Sequence, residues 1–286
     1  MTVRPRRSVL YMPGSNARAL EKARGIPADA LILDLEDAVA PDAKDLARRQ
    51  VADAVKAKGF GKREVVIRIN ALSTAWGMDD LKAAAEAGPD AILVPKVSWA
   101  KDLAEIETHL GGARVAVWAM VETPLAILNI AEIAAAGGRL SCFVMGTNDL
   151  IKEFRGLHTP DRLNLAASLG LSVAAARAHG HSVIDGVYND INDSDGFYSM
   201  CRQGRAFGFD GKTLIHPSQV DACNQVFAPS VEEIEAARKI IAAFEKPENK
   251  GKGAISLDGR MVELLHAEIA RQTVSLADAI AALEAP

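Results

Sequence analysis

The chain has 286 residues, of which 49% are apolar and 24% charged, and its formal net charge is −4. This is the composition of a soluble protein with a large core, without the basic excess of nucleic-acid-binding proteins. Pro13-Gly14 ends the first apolar run after about five residues, so we expect neither a secretory signal nor a membrane span. Three cysteines without paired spacing suggest a reducing compartment. We therefore expect a cytoplasmic protein with no nucleic-acid or membrane partner.

Strand-like apolar runs alternate with helical segments along the chain. The predicted strands are 8–12, 30–35, 65–69, 91–94, 115–121, 141–145, 183–184 and 211–215. Helical patterns lie between them, from Asn16 onward and at 43–58, 79–87, 98–110, 125–136 and roughly 160–178. Eight such units predict an α/β protein with a closed TIM-type (β/α)8 barrel. The alternative is an open doubly wound sheet, which usually has a glycine-rich phosphate loop after its first strand; that loop is missing here.

We assign residues 1–228 to the barrel and residues 229–286 to a C-terminal helical extension. The extension contains a helix at 230–245, a Lys-, Gly- and Pro-containing stretch at 246–253 and a last helical segment from residue 254. The composition of the middle stretch predicts a mobile linker. We therefore expect the final segment to act as a lid, in this chain or over a neighbouring subunit.

Polar residues follow most of the predicted strands. They are Glu36, Arg68, Lys96, Glu122, Asp149, Asp185 and His216. In parallel barrels the active site lies at the C-terminal ends of the strands, so these side chains are expected in or near one mouth.

Glu122 and Asp149 carry the functional prediction. Each directly follows an apolar strand, at equivalent positions of the fifth and sixth units. Carboxylate oxygens suit Mg²⁺, which is commonly bound by one or two protein carboxylates together with water and substrate oxygens. The alternative is that both acids cap the helices that follow, since Thr123-Pro124 is a helix-start signal.

The other polar residues leave alternatives open. Asp34 and Glu36 point the same way in a strand, so one is expected to pair with an arginine and the other to line the pocket. Arg68 needs an anionic partner, which is either Glu36 or a substrate carboxylate or enolate. Lys96 is either a pocket cation or a structural partner of a carboxylate. His216 before Pro217 fits a packed turn histidine better than a catalyst.

Seven motifs occur in an order that resembles a known family. They are RSVLYMPG at 7–14, DLEDAV at 34–39, RIN at 68–70, PK at 95–96, ETP at 122–124, GTNDL at 146–150 and GFDGKTLIHP at 208–217. Together they resemble the citrate lyase β-subunit-like (CitE-like) branch of the HpcH/HpaI aldolase superfamily. The DLEDAV motif favours this acyl-CoA branch over the pyruvate-aldolase branch. Residues 11–20 and 258–263 resemble the (3S)-malyl-CoA thioesterase type.

The resemblance implies a barrel in which Glu122 and Asp149 hold Mg²⁺, with Mn²⁺ as a possible substitute, and Arg68 contacts the substrate. Further contacts are expected from Gly146, Thr147, Asn148 and Lys96, and catalytic roles from Asp34 and Glu36. The resemblance also implies homotrimers or homohexamers in which the C-terminal segment covers a neighbour's site. Arg18 and Lys22 on the first helix are candidates for phosphate contacts with coenzyme A.

The C-terminal segment departs from the pattern of this branch. Its lyases tend to carry an aspartate in a Met-Ile-Asp stretch, where this chain has Met261-Val262-Glu263. An acid that is one methylene longer is displaced by about an ångström, which puts efficient C–C chemistry in doubt. Asp258 is a second acid of this segment that can take the same role.

We therefore expect an Mg²⁺-dependent enzyme that hydrolyses (3S)-malyl-CoA to malate and CoA. The alternative is a lyase that reversibly cleaves malyl-CoA, methylmalyl-CoA or citramalyl-CoA to an acyl-CoA and a 2-oxo acid. Weaker alternatives are an accessory subunit of a multi-protein lyase and a pyruvate-type aldolase.

Overall fold

The computed structural model describes residues 3–285, which form two compact units. One unit is Arg6–Gln225, and the other consists of residues 3–5 together with 226–285. No helix within the described residues is both long and apolar enough to cross a membrane.

The larger unit is a closed barrel of eight parallel strands in sequential order. The strands are β1 Ser8–Pro13, β2 Ala30–Asp34, β3 Glu64–Arg68, β4 Ala91–Val94, β5 Ala116–Val121, β6 Leu140–Met145, β7 Ser182–Asp185 and β8 Gly211–Leu214. β8 pairs with β1 through Ser8↔Lys212, Val9↔Thr213 and Leu10↔Leu214, which closes the sheet. The predicted TIM-type barrel is confirmed, with every strand in the predicted place and each strand end within one residue of the prediction.

Apolar side chains fill the inside of the barrel. Val9, Ile32, Leu93, Trp118 and Val144 belong to one buried cluster to which seven of the strands contribute. Consecutive residues of a strand point to opposite faces, and both faces are covered in a barrel surrounded by helices. The strands therefore read as continuous apolar runs, which is why the sequence pattern located them well.

A largely buried ion pair lies at the N-terminal ends of the strands. The Arg6 guanidinium contacts both carboxylate oxygens of Glu64 at 2.6 and 2.8 Å and lies 5.0 Å from the centre of the Trp118 ring. Glu64 is the first residue of β3, so this pair is at the end of the barrel opposite to the strand termini that the sequence marks as functional.

The helices of this unit are α1 Ala17–Ala23, α2 Lys44–Ala57, α3 Gly77–Ala87, α4 Ala100–Leu110, α5 Pro124–Leu128, α6 Ile130–Ala135, α7 Thr147–Phe154, α8 Ala166–Ala178, α9 Ser194–Phe207 and α10 Val220–Phe227, which runs on into the second unit. The predicted helix at 125–136 is two helices that meet at Asn129, whose φ of −102° interrupts the helical path. The helical insertion predicted at 160–178 corresponds to α8, and a further helix, α7, precedes it. The sequence analysis did not predict α9 or α10.

The second unit contains α11 Val231–Glu245, a hairpin of β9 Ala254–Leu257 and β10 Arg260–Glu263, and α12 Leu264–Glu284. The prediction of an all-helical segment after residue 254 is wrong. Asp258 and Gly259 both have positive φ, at 50° and 75°, and Asp-Gly is a strong signal for a two-residue hairpin turn. Val262 and Ile255 pack with Ala243 of α11, which explains why the hairpin forms.

Gly211 gives a test of barrel closure. A Cβ atom at this position would overlap the main-chain carbonyls of Arg6 and Arg7 next to β1. We expect Gly211→Ala to lower the free energy of unfolding by about 3 kcal/mol, because the main-chain atoms of Arg6 and Arg7 cannot move aside without disturbing the strand pairing. Gly112→Ala, which has open space around it, is the control and should stay within about 0.5 kcal/mol in urea unfolding. Equal stability of the two variants would contradict the closure described here.

Candidate active site

A cavity of about 310 Å³ lies at the C-terminal ends of the barrel strands. Six of the predicted site residues line it: Asp34, Arg68, Gly146, Thr147, Asn148 and Asp149. Its wall also includes Tyr11, Met120, Asn189 and Thr213, none of which the sequence singled out.

Asp34 and Arg68 form a buried ion pair across β2 and β3, where they occupy paired positions. Arg68 Nε and Nη2 each lie 2.7 Å from one carboxylate oxygen of Asp34, and the guanidinium lies 4.8 Å from the centre of the Tyr11 ring. Burial alone would lower the pKa of Arg68, but the charge of Asp34 outweighs it and raises that pKa. The arginine is therefore permanently cationic and held in one orientation.

Asp34 also shapes the loop after β2. Its two carboxylate oxygens accept the backbone N–H groups of Glu36 and Ala38 at 2.9 and 3.0 Å. Our expectation that either Asp34 or Glu36 pairs with the arginine while the other lines the pocket is wrong. Asp34 does both, because it lies at the end of the strand while its side chain still points into the barrel.

Glu36 is a second acid beside the same guanidinium. Its Oε2 lies 2.9 Å from Arg68 Nη1, without the alignment of a hydrogen bond, and its side chain is 13% exposed. Burial, together with the carboxylates of Asp37, Glu122 and Asp34, outweighs the attraction of Arg68 and raises the pKa of Glu36 to about 8. Glu36 therefore holds its proton near neutral pH, unlike an ordinary glutamate.

A buried lysine that sequence reasoning missed supports this loop. Lys44 donates to the carbonyls of Leu35 and Glu36 at 2.8 and 2.7 Å and to Asn70 Oδ1 at 2.8 Å. A signal was present, because Lys44 shares the buried face of α2 with Ala47 and Val51. A lysine at an apolar position of a helix needs such partners.

Glu122 and Asp149 both contact Lys96, one through its backbone and the other through its side chain. Glu122 is 1% exposed, and its Oε1 accepts the backbone N–H of Lys96 at 2.7 Å. The Lys96 ammonium lies 3.4 Å from Asp149 Oδ1, whose side chain is 29% exposed. Burial raises the pKa of Glu122, opposed by the charge and backbone N–H of Lys96.

Gly146 leaves room for the Glu122 carboxylate. A Cβ at Gly146 would lie 2.7 Å from Glu122 Oε2, so a larger residue would push the carboxylate aside. Glu122 packs against Gly146, which lines the cavity, but is not itself part of the cavity wall.

The donor set around Glu122 and Asp149 fits a hard cation. It consists of carboxylate oxygens, and within residues 3–285 no group of three or more His, Cys, Asp and Glu residues is arranged to hold a metal. Mg²⁺ needs no such cage, because it retains waters and takes substrate oxygens. The same set fits Zn²⁺ poorly, since zinc sites are usually built from three or four histidine or cysteine ligands.

Several predicted residues lie away from the cavity wall. Arg18 and Lys22 are exposed on α1. Asp185 is fully buried at the end of β7 and pairs with Arg162 and Lys212, so it lies near the mouth without being part of the cavity wall.

The other predicted residues, His216, Asp258 and Glu263, lie in a turn or in the second unit. His216 caps a short turn, its Nδ1 accepting the backbone N–H of Ser218 at 3.2 Å. Asp258 and Glu263 belong to the second unit, where Asp258 pairs with Lys239 and Glu263 immediately precedes α12.

The fold and the cavity define a (β/α)8 enzyme with an acidic site at the C-terminal ends of its strands. The chain belongs to the HpcH/HpaI aldolase/citrate lyase family, which matches residues 7–217. Residues 169–281 also match the C-C bond lyase family of the TIM-barrel fold. The resemblance seen in the sequence motifs is thereby confirmed.

Individual relatives carry two kinds of name. The chain is 53% identical over 281 residues to a (3S)-malyl-CoA thioesterase of Cereibacter sphaeroides, with 98% of each chain covered. It is 36% identical over 284 residues to the citrate lyase subunit beta of Escherichia coli, covering 96% of this chain and 94% of that one. The solved structure of CitE from Mycobacterium tuberculosis in complex with magnesium, acetoacetate and coenzyme A has a TM-score of 0.78 and 31% identity, covering 96% of this chain and 98% of that one.

The raised pKa of Glu36 predicts a pH dependence of stability. Because the folded-state pKa is about 8 and the unfolded value is about 4.5, the folded protein binds the extra proton between these values. The stabilising effect is complete below about pH 4.5 and is lost as pH rises through 8. Wild type should therefore lose stability relative to Glu36→Gln over this window, by a few kcal/mol at most.

Urea unfolding in EDTA at pH 5, 7 and 9 measures this difference. Glu21→Gln, on the exposed face of α1, is the control and should follow wild type at every pH. A constant difference between wild type and Glu36→Gln from pH 5 to 9 would contradict the raised pKa.

Proposed function

We propose that this enzyme is an Mg²⁺-dependent thioesterase that hydrolyses (3S)-malyl-CoA to malate and CoA. The observation that carries the proposal is the Glu122–Asp149 pair beside a cavity that contains Arg68. The 53% identity to a (3S)-malyl-CoA thioesterase over nearly the whole chain supports the choice of substrate.

Glu122 and Asp149 would hold the metal, and Lys96 and Arg68 would supply positive charge around it. Malyl-CoA contains an α-hydroxycarboxylate, which offers two oxygens to a cation and one negative charge to a nearby arginine. A bound Mg²⁺ would supply Lewis-acid stabilisation of charge on the substrate oxygens. Arg68, held by Asp34 in a single orientation, would stabilise negative charge in the cavity without reorganisation.

Glu36 would serve as the proton-holding group. Its carboxyl group retains a proton near neutral pH and lies against Arg68, but Glu36 is not part of the cavity wall, so it would tune the charge beside Arg68 rather than contact a group bound in the cavity. Asp34 stays engaged with Arg68 and two backbone N–H groups, which suits it to holding the site rather than to moving protons.

The C-terminal unit exposes several apolar side chains near Glu263. Met261, Leu264, Leu265 and Ile269 flank Glu263 and are each at least half exposed. Such apolar exposure is typical of a contact surface. We propose that this segment covers the site of a neighbouring subunit in a cytoplasmic homotrimer or homohexamer, and that Glu263 or Asp258 acts there as an acid.

The second candidate function is reversible cleavage of the same thioester to glyoxylate and acetyl-CoA. Citrate lyase subunit beta of Escherichia coli, at 36% identity, favours this reading. The same residues would anchor the substrate in both reactions, so only the identity of the products distinguishes hydrolysis from cleavage.

Purified protein incubated with malyl-CoA and Mg²⁺ should release free CoA and malate in equal amounts. Free thiol, malate and glyoxylate are measured in the same samples. Arg68→Lys should lower kcat/KM by at least about 100-fold, because a lysine cannot form the two-point contact with Asp34. Glyoxylate formed together with acetyl-CoA, without free thiol, would contradict hydrolysis and support the lyase.

The metal assignment has its own test in Mn²⁺ titrations followed by electron paramagnetic resonance. Glu122→Gln and Asp149→Asn should each weaken Mn²⁺ binding by at least about 100-fold, since each removes a charged ligand. Asp53→Asn, on an exposed position of α2, is the matched carboxylate control and should bind as wild type. Unchanged affinity in both site variants would remove the metal pair from the proposal.

A further inference from the structure

Asp185 at the end of β7 is the centre of a buried charged cluster outside the cavity. Its side chain is fully buried, with Oδ1 2.7 Å from Arg162 Nη1 and Oδ2 3.0 Å from Lys212 Nζ. Oδ1 also accepts the backbone N–H of Gly186 at 2.8 Å. Burial would raise the pKa of Asp185, but the two cations outweigh it and lower the pKa, so the group is ionised.

The peptide after Asp185 touches the first residue of α7. A Cβ at Gly186 would overlap Thr147 Oγ1 and lie 2.7 Å from Thr147 Cγ2 and 2.9 Å from the Met145 carbonyl. Lys212 Nζ donates to the Gly186 carbonyl in addition to its contact with Asp185. Lys212 therefore fixes the peptide against which the start of α7 packs.

The chain that follows α7 is tied to the same carboxylate. α7 ends at Phe154, and Arg162 lies in the connection to α8, with a left-handed φ of 50°. Its Nη1 reaches Asp185, while its Nε donates to Gln203 Oε1 on α9 at 2.7 Å. A non-glycine residue persists in this conformation only where its surroundings fix it.

Asp185 is thus linked to the chain on both sides of α7. Gly186 packs against Thr147 at the start of the helix, and Arg162 holds the connection eight residues after the last residue of the helix, Phe154. Asp149 lies two residues after Thr147, in the first turn of the same helix. Any shift of α7 therefore moves the Asp149 carboxylate relative to Glu122, which belongs to a different strand end.

We propose that Asp185, Arg162 and Lys212 are positioning residues that fix α7 and thereby hold Asp149 in place for a divalent cation. This inference rests on the proposed metal site and adds the part of the fold that orients it. A buried charged cluster contributes little net stability compared with apolar packing, but its hydrogen bonds have defined directions. Residues that orient metal ligands from behind commonly change metal affinity by about 10–100-fold.

The test compares Mn²⁺ affinity with thermal stability in the full-length protein. Arg162→Gln and Asp185→Asn should weaken Mn²⁺ binding by about tenfold and lower Tm, while Arg162→Lys restores part of the affinity. Glu64→Gln is the matched control, because it breaks the buried Arg6–Glu64 pair at the other end of the barrel. It should lower Tm and leave Mn²⁺ affinity unchanged.

Gly186→Ala keeps the inference testable where the charge variants fail to fold. The added methyl group pushes on Thr147 without burying an unpaired charge, and it should weaken Mn²⁺ binding. Wild-type affinity in Gly186→Ala, or in Arg162→Gln with a lowered Tm, would overturn the positioning role alone. If Asp149→Asn also bound Mn²⁺ as wild type does, the proposed metal site would fail as well.

Discussion

The ion pair between Asp34 and Arg68 is the interaction on which the mouth of the barrel depends. Below it the barrel is filled by apolar side chains, so a lone arginine at this depth would be unstable without an anion. Asp34 supplies that anion and also holds the backbone of the next loop. Asp34 and Arg68 are the last residues of β2 and β3, so Asp34 fixes the Arg68 guanidinium at the point where the apolar interior ends and the cavity begins. The neighbouring acids are arranged around this guanidinium.

The charges in this region are not balanced. The carboxylates are Asp34, Glu36, Asp37, Glu122 and Asp149, and the cations are Lys44, Arg68 and Lys96. Burial first, and then the neighbouring carboxylates, explain why Glu36 has a pKa of about 8 and why that of Glu122 is raised. A bound dication would relieve the same excess, which links the proton affinity of these groups to the proposed metal site.

The sequence predicted the parts of the fold that follow from local pattern. Buried parallel strands have continuous apolar runs, and the polar residues after them meet at one edge, so Arg68 and Asp149 could be placed beforehand. The helical period places Lys44 on the buried face of α2, but its partners, like those within the Arg162–Asp185–Lys212 cluster, come from distant segments that no local pattern reveals. The hairpin at 254–263 differs from these contacts, because Asp258-Gly259 is a local hairpin signal that lies in a C-terminal segment whose remainder is helical.

The proposed metal pair alone does not separate hydrolysis from C–C cleavage. Relatives named as a thioesterase and as a lyase subunit match this chain over almost its whole length, so they share the barrel. The reaction then depends on which group transfers a proton and where it is located. Glu36 is held against Arg68 within the barrel, whereas Glu263 precedes α12 in the second unit, where apolar side chains around it are exposed. An acid on a segment that docks on a neighbouring chain can be one methylene longer or shorter without disturbing the barrel. The same change at Glu36 would alter the charge balance around Arg68. Divergence between the two reactions is therefore expected in the C-terminal segment that we propose to dock on a neighbouring subunit, rather than among the strand ends.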